Sequence, residues 1–185
     1  AIIIDYYNQR RVVKDKMLGV ESSYQKNKSA ELAREITQLG NRQMAIKILL
    51  NSLYGALGNQ YFRYYDLRIA EGITLSGQLS IRWAEKAVNK TMNAILKTDS
   101  DYVIAIDTDS LYVNMKPLVD AVGPKDPVSF LDKACKEKFE PMLEKSYAKM
   151  FTHMGAYVNR MEMAREAIAD RGIWTAKKRY ILNVH

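Results

Sequence analysis

Four consecutive short polar residues, from Asp107 to Ser110, interrupt an apolar part of the sequence and include two carboxylates. Side chains two residues apart on an extended backbone point the same way, so Asp107 and Asp109 are predicted to lie together. Neighbouring carboxylates repel each other, and a divalent cation removes that cost. Mg²⁺ prefers oxygen ligands and commonly takes one or two carboxylates together with substrate phosphates. The pattern indicates either a cation site at a hairpin tip or an ordinary turn, which Asp, Ser and Thr also favour.

A second set of polar side chains follows one face of a predicted helix. Lys47, Asn51 and Tyr54 fall within about 60° of one another at helical spacing. An ammonium suits a phosphate, and a phenol can pack against a base or sugar. Arg10 and Lys14 are i, i+4 neighbours on the preceding helix, so a closed hairpin could gather these groups around one triphosphate-sized anion. The alternative is an amphipathic helix with a solvated face, whose packed stripe would be Ile46, Leu49, Leu50 and Leu53.

A third basic group lies near the end of the sequence, within a predicted strand. Alternation along that strand places Lys177 and Arg179 on one face. Lys178 and Tyr180 then share the other face. Cations beside an aromatic ring suit a nucleic-acid backbone. A charged edge strand that prevents aggregation is the alternative interpretation.

The elements that must position these residues begin with two helices. The pattern predicts a helix from Ile2 to Gly19, a polar connector over Ser22–Lys28, and a second helix over Ala30–Tyr54 with Ser29 as its N-cap. Gly40 is a candidate break in the second helix. A short polar link between two helices predicts an antiparallel helical hairpin.

The rest of the sequence mixes helical and strand patterns. Two apolar runs, Tyr102–Ile106 and Leu111–Val113, flank the four short polar residues and predict a β-hairpin. Helices packed against an antiparallel sheet define an α+β fold. The other predicted elements are a helix over Leu67–Leu96 with Asp66 as its cap and with Ile69, Ile73, Leu79, Trp83 and Val88 on one side, a helix over Pro127–Met150, and strands over Tyr157–Ile168 and Gly172–Val184.

Composition and charge restrict the classes of function. The sequence is 48% hydrophobic and 26% charged, which is typical of a folded protein. It holds no apolar run of the ~18 residues that a membrane span needs, and its single cysteine, Cys135, fits an intracellular protein. The net charge of +7 is concentrated at the ends: residues 1–57 carry +4, residues 58–170 carry −1 and residues 171–185 carry +4. This bias fits either a polyanion partner or a solvated basic face.

Three motifs, taken in order, resemble those of one family. Lys47–Gly55 resembles the K-x-x-x-N-S-x-Y-G fingers motif of family B DNA polymerases, Asp107–Ser110 their D-T-D-S palm motif, and Lys177–Tyr180 their K-K-R-Y motif. The stretch Leu53–Arg68, which includes Phe62–Arg68, is most similar to the replicative polymerases of T-even-type bacteriophages. Arg165–Ala169 and Trp174-Thr175 support the same relatives. The resemblance covers most of the sequence.

The resemblance implies a fingers hairpin over residues 1–57 and a palm over residues 58–185. The implied reaction is template-directed transfer of a deoxynucleotide from a deoxynucleoside triphosphate to a primer 3′-hydroxyl on primer–template DNA, with two Mg²⁺ ions. Asp109 would be a ligand of both ions, Asp107 would lie beside them, and Glu166 matches a nearby supporting carboxylate. The implied location is the cytoplasm of the bacterial host, with no membrane partner.

The resemblance also assigns roles to the cations. Lys47 and Arg10 would clamp the triphosphate, Lys14 and Asn51 would lie beside it, and Tyr54 would pack near the nascent base pair. The residues implied to hold the primer–template are Lys177, Lys178 and Tyr180.

The sequence departs from the family pattern in three places. The D-x-x-S-L-Y-P-S motif, which carries the other palm aspartate, is absent, so we expect an N-terminal polymerase portion with that aspartate and an exonuclease, and also a thumb. Ala105-Ile106 replaces the usual Tyr-Gly before D-T-D-S, and the link between the finger helices is short. The isolated 185 residues are therefore predicted to be inactive.

The rival hypotheses are a polymerase remnant that binds DNA without chemistry and another metal-dependent phosphohydrolase built on Asp107 and Asp109.

Overall fold

The structure, a computed structural model, describes residues 2–176 and 178–185. The chain divides into two compact units, Ala1–Ile73 and Thr74–His185. The helices are α1 (Ile2–Lys26), α2 (Ala30–Leu57), α3 (Leu67–Leu96), α4 (Lys116–Val122), α5 (Pro127–Ala134) and α6 (Glu140–His153), with a π-helical turn over Cys135–Phe139 between the last two. The strands are β1 (Val103–Asp107), β2 (Ser110–Val113), β3 (Ala169–Ala176) and β4 (Arg179–Val184). The α+β class is confirmed, with the strands in two separate antiparallel pairs. The division at residues 57/58 concerns function and stays a prediction.

In the first unit, α1 and α2 form the predicted helical hairpin. The N-cap prediction is confirmed, because Ser29 Oγ accepts a hydrogen bond of 3.2 Å from the Leu32 N–H at the start of α2. A salt bridge of 2.8 Å between Lys16 Nζ and Glu35 Oε1 links the two helices. An exposed pair of this kind adds little stability, so the hairpin depends mainly on apolar packing, which buries Val13.

The predicted end of α1 at Gly19 is wrong, because the helix continues to Lys26. An exposed glycine costs a helix about 1 kcal/mol. The other twenty-four residues of α1, some of which pack on α2, offset this cost. Gly40 does not break α2 either. The backbone stays helical there, because α2 runs from Ala30 to Leu57 without a break. A Cβ added at Gly40 would lie 3.8 Å from Met17 Sδ, an ordinary contact.

Asp66 begins α3, as the sequence predicts. Its Oδ1 accepts a hydrogen bond of 3.0 Å from the Arg68 backbone N–H, and its own N–H donates to the Leu57 carbonyl at 3.1 Å. The hydrogen bond from the Arg68 side chain lowers the pKa of the Asp66 carboxyl. The turn between α2 and α3 is therefore fixed at both of its ends.

The hydrophobic core lies in the second unit. Ala84, Val88 and Met92 recur every four residues on α3 and are buried there, which is the predicted helical periodicity. Ile69 and Ile73, predicted for the same side, are about half exposed. Trp83 Nε1 donates a hydrogen bond of 3.0 Å to the Ser146 carbonyl on α6. The remaining buried core residues are Tyr102, Leu118, Phe139, Leu143, Tyr147 and Met150.

The β1–β2 hairpin packs on this core through Leu111 and Val113. Its register pairs Asp107 with Ser110 and Ala105 with Tyr112, with an irregularity between Val103 and Ala105. A two-residue turn, residues 108–109, therefore joins the strands. The core residues of β2 fix which way the hairpin faces, and hence where the turn projects.

Two strand predictions are wrong. Residues 157–168 form no regular strand, since their backbone groups are not paired in a ladder with another strand. The predicted strand over Gly172–Val184 is instead part of a hairpin: β3 and β4 are antiparallel, with Trp174 opposite Tyr180. The helix predicted over Pro127–Met150 is broken into α5, the π turn and α6, and α4 was not predicted.

Candidate functional site

The carboxylate turn, residues 107–110, is stabilised by hydrogen bonds to Asp107. The Asp107 carbonyl accepts from the Asp109 N–H at 2.6 Å and from Ser110 Oγ at 3.1 Å. Thr108 Oγ1 donates to Asp107 Oδ1 at 3.1 Å. Asp107 is half-buried, whereas Asp109 is exposed. The turn therefore presents one anchored carboxylate and one that solvent or a ligand can reach.

Backbone strain occurs at this turn. Thr108 has φ of 54°, in the left-handed region, where a β-branched residue is uncommon because its Cβ crowds the following carbonyl. Such strain persists only where the surrounding structure enforces it. Here the flanking strands and the hydrogen bonds to Asp107 enforce it.

An aromatic cluster joins the two hairpins of the second unit. The ring of Tyr112 on β2 lies 5.5 Å from Trp174 on β3 and 5.2 Å from Tyr180 on β4, edge to face in both cases. Trp174 and Tyr180 are stacked with their centroids 6.5 Å apart. Edge-to-face and offset pairs are the favoured aromatic arrangements. The cluster therefore holds the β3–β4 hairpin against the strand that leads out of the carboxylate turn.

Tyr180 is influenced by the predicted site carboxylates. A hydrogen bond with Tyr112 is the main cause that raises the pKa of the Tyr180 hydroxyl, and the negative charges of Asp107 and Glu166 raise it further. Both carboxylates are thus within electrostatic reach of one phenol. Asp107 and Tyr180 are 73 positions apart in the sequence.

The K-K-R-Y residues do not share one strand. Lys178 lies in the turn between β3 and β4 with φ of 64°, and only Arg179 and Tyr180 belong to β4. The prediction that Lys178 belongs to a strand and shares a face with Tyr180 is therefore wrong. Lys177 lies outside the described residues. Lys178 is exposed at the tip of the hairpin that the aromatic cluster anchors.

The residues predicted to bind a nucleotide all lie on the α1–α2 hairpin. Lys14, Lys47 and Asn51 are exposed, Tyr54 is 45% exposed, and Arg10 is half-buried. The predicted packed stripe of α2 is only partly buried. Its buried member is Ile46, while Leu50 and Leu53 are half-buried and Leu49 is 49% exposed.

The donor set of the carboxylate turn suits Mg²⁺. Carboxylate oxygens are hard ligands, and Asp109 is accessible on a turn that is held by the flanking strands. Among residues 2–176 and 178–185, no group of three or more His, Cys, Asp or Glu side chains is arranged to hold a metal ion. The turn can therefore supply two carboxylates, with substrate phosphates or other residues as further ligands.

A sequence profile for DNA polymerase family B matches residues 2–182, and the chain belongs to that family. It is 41% identical over 170 residues to the DNA-directed DNA polymerase of Enterobacteria phage T4, and 43% identical over 157 residues to that of Escherichia phage RB69. The alignments cover 84% and 77% of this chain. A protein of African swine fever virus called DNA polymerase beta is 26% identical over 193 residues, covering 97% of the chain. The chain spans only 16–19% of the length of these relatives.

Sequence reasoning missed Tyr112 as a site residue. The signal was available in part, since aromatic residues in strands often pair with aromatic residues opposite. Recognising that Lys178 lies in a turn would have paired Trp174 with Tyr180. No sequence pattern indicated that Tyr112, from the other hairpin, would complete the cluster.

Within the described parts of the chain, every helix is too short or too polar to cross a bilayer.

Proposed function

We propose that the chain is the fingers and palm part of a DNA-directed DNA polymerase that adds deoxynucleotides to a primer 3′-hydroxyl. The observation that carries this proposal is the accessible Asp109 on a turn whose hairpin is joined, through Tyr112 and Tyr180, to a hairpin with a basic tip. Family membership and the phage relatives support the same activity. The arrangement pairs a cation-binding turn with groups that suit a DNA backbone.

Phosphoryl transfer depends mainly on positioning and charge neutralisation, and the proposed site residues of the palm would serve these two needs. Asp109 would hold Mg²⁺ at the exposed end of the turn, and Asp107 would support it from its anchored position. Bound there, two Mg²⁺ ions would help to activate the primer hydroxyl and stabilise the leaving pyrophosphate. Lys177, Lys178 and Tyr180 would hold the primer–template near the primer terminus. Glu166 is proposed as a supporting carboxylate.

The α1–α2 hairpin is proposed to bind the incoming deoxynucleoside triphosphate. Lys47 and Arg10 would neutralise its phosphates, with Lys14 and Asn51 beside them. Tyr54 would pack near the nascent base pair, since a planar ring can stack on a base. A helical hairpin of this kind can close over a substrate, as lids commonly do.

We propose that further polymerase portions complete the active site. Two carboxylates on one turn leave room for the other palm aspartate expected from the family pattern, together with an exonuclease and a thumb. The complete enzyme would act in the cytoplasm of the bacterial host. The isolated chain should then lack sustained activity.

Primer extension with labelled primer–template, deoxynucleotides and Mg²⁺ tests this proposal. We expect no sustained incorporation by the chain alone, and incorporation once a polymerase portion with the missing aspartate motif is added. Asp109→Ala should then abolish incorporation, because the accessible metal ligand is lost. Asp99→Ala, which removes an exposed carboxylate outside the turn, is the matched control and should retain activity.

A second candidate is a DNA-binding module without chemistry, and the concentration of positive charge at the two ends of the sequence favours it. This role needs the cations and not the carboxylates. Asp109→Asn separates the two functions, since it keeps the shape of the side chain and removes its charge. Unchanged function in the cell after this substitution would select the binding module and overturn the polymerase proposal.

A further inference from the structure

The segment that carries Glu166 has no regular secondary structure, yet it is held at defined points. Met163 packs against the hydrophobic core of the second unit. At the other end, the His185 N–H donates a hydrogen bond of 3.0 Å to the Ile168 carbonyl, where β3 begins. Between these two points, residues 164–167 have no strand partner, so something else must fix the direction of the Glu166 side chain.

Arg165, the neighbour of Glu166, is held by two acidic residues of the helical layer. Its guanidinium forms a salt bridge with Asp132 on α5, and its backbone N–H donates to Glu140 Oε1 on α6 at 3.0 Å. The side chains of Arg165 and Asp132 are only 30% and 32% exposed, respectively. Lys136 also contacts Asp132, at 2.8 Å. We call the contact of Arg165 with Asp132 and Glu140 the Arg165 clamp.

The π-helical turn explains how residues of two successive helices reach one arginine. Asp132 and Glu140 are eight positions apart, and in a continuous α-helix they would lie about 80° apart around the axis. The turn over Cys135–Phe139 has i→i+5 hydrogen bonds and takes more residues per turn. It therefore rotates Glu140 back towards the face that carries Asp132. Single π turns of this kind are frequent at functional sites.

We propose that Asp132 and Glu140 are positioning residues, which hold Arg165 and thereby fix the segment that carries Glu166. The value of this placement to catalysis rests on the proposed polymerase function, whereas the clamp itself does not. Asp132 fixes the arginine side chain and Glu140 fixes the backbone. Neither residue touches the reacting groups.

Hydrogen exchange of the chain, followed by mass spectrometry, tests the clamp without any polymerase assay. Asp132→Asn and Glu140→Ala should each speed exchange in residues 163–168 by about two- to fivefold, the range expected for loss of a partly exposed ion pair or hydrogen bond. Exchange in α6 should stay unchanged. Lys136→Gln is the matched control, because it removes the other partner of Asp132 and leaves the Arg165 contact in place. Unchanged exchange in residues 163–168, or a rise of equal size in α6, would overturn the proposal.

Distance measurements separate positioning from simple stabilisation. Spin labels at Ile104→Cys on β1 and Ala167→Cys, in a Cys135→Ser background, report the distance from the hairpin to the Glu166 segment. We expect Asp132→Asn to broaden the distance distribution at least twofold at a temperature where the chain stays folded. The charge-swapped pair Asp132→Arg with Arg165→Asp should narrow it again. A distribution of unchanged width in Asp132→Asn would refute positioning. Failure of primer extension with an intact clamp would instead count against the proposed function alone.

Discussion

Tyr180 lies where the aromatic cluster meets the acidic side chains of the candidate site. Its pKa is raised first by the hydrogen bond with Tyr112, and then by burial and by the charges of Asp107 and Glu166. A raised pKa means that the folded chain holds the phenolic proton more tightly than the unfolded chain. The resulting stability is present below the ordinary pKa of 10.0 and is lost as the pH rises through the raised value.

We predict that Tyr112→Phe lowers the pKa of Tyr180 towards 10.0, because the largest cause of the shift is removed. The titration can be followed by NMR of the tyrosine ring carbons in metal-free buffer, with Tyr180→Phe to assign the signal. Tyr157→Phe, at a fully exposed position, is the control and should leave the Tyr180 titration unchanged. The stability of the wild type should also fall more steeply above pH 10 than that of Tyr112→Phe. A Tyr180 pKa that does not move in Tyr112→Phe would contradict the assigned cause.

The two tryptophans differ in what their indole N–H groups contact. Trp83 Nε1 donates to the Ser146 carbonyl, whereas Trp174 Nε1 is buried without a hydrogen-bond partner in the described parts of the chain. An unpaired buried donor costs about 1–3 kcal/mol, which replacement by an apolar group removes. Phenylalanine keeps the ring at either site and deletes the donor.

We therefore expect Trp83→Phe to destabilise the chain by about 1–2 kcal/mol more than Trp174→Phe. Chemical denaturation followed by circular dichroism at 222 nm measures both variants against the wild type. Equal losses of stability at the two positions would show that Trp174 has a partner in solution, such as an ordered water molecule.

For individual residues, the sequence predicted the local structure around Asp107 and Asp109 better than the surroundings of Tyr180. Asp107 and Asp109 were placed at a hairpin tip from the four short polar residues between two apolar runs, and the structure confirms that hairpin. The neighbourhood of Tyr180 depends on Tyr112 and Glu166, which come from other elements. Contacts between distant segments follow from packing, which local periodicity does not encode.

Among the elements, α2 continues through a glycine that its geometry does not need. The Cβ of an alanine at Gly40 would meet only Met17 Sδ, at 3.8 Å. Alanine also has lower backbone entropy than glycine in the unfolded chain, so it loses less entropy when the helix forms. Gly123, at the end of α4, differs because its φ is 61°. A side chain in this left-handed conformation is strained.

We predict that Gly40→Ala raises the free energy of unfolding by about 0.5–1 kcal/mol. The matched variant Gly123→Ala should lower it by about 1 kcal/mol or more. Thermal unfolding of both variants checks the pair. A loss of stability in Gly40→Ala would mean that the two helices of the hairpin approach more closely than the distance to Met17 indicates.

The sequence predicted regular elements well where a periodic pattern was long, and poorly where turns lacked the usual residues. The bounds of α3 agree with the prediction, since Asp66 and thirty residues of helical pattern define them. The hairpin of β3 and β4 was missed because its turn contains lysine where glycine or asparagine is usual. The Tyr157–Ile168 strand was wrong because an apolar pattern cannot show whether a partner strand exists.

For the whole molecule, the distribution of charge is the feature most open to measurement. The basic residues at the two ends lie on the α1–α2 hairpin and on the β3–β4 hairpin, in different compact units. Each cation that neutralises a DNA phosphate releases condensed counterions, which makes binding sensitive to salt. The dependence of the DNA affinity on salt concentration therefore gives the number of phosphate contacts, even when no structure of the complex is known.

We expect Lys178→Ala to weaken binding to primer–template DNA and to reduce the slope of log affinity against log salt by about 0.9, the value for one phosphate contact. Fluorescence anisotropy at several salt concentrations measures the slope. Lys149→Ala, which removes an exposed cation from α6, is the control and should leave the slope as it is. The same slope in Lys178→Ala and wild type would remove Lys178 from the proposed DNA contact.

The left-handed backbone at Thr108 couples the thermal stability of the chain to the rigidity of the carboxylate turn. Glycine is the obvious replacement, since it adopts that backbone without steric cost and should raise the melting temperature. It would also give the carboxylates on either side a looser mount, because a glycine loop samples many more shapes. A variant with Gly at position 108 would therefore gain thermal stability but hold the carboxylates of Asp107 and Asp109 less rigidly in place.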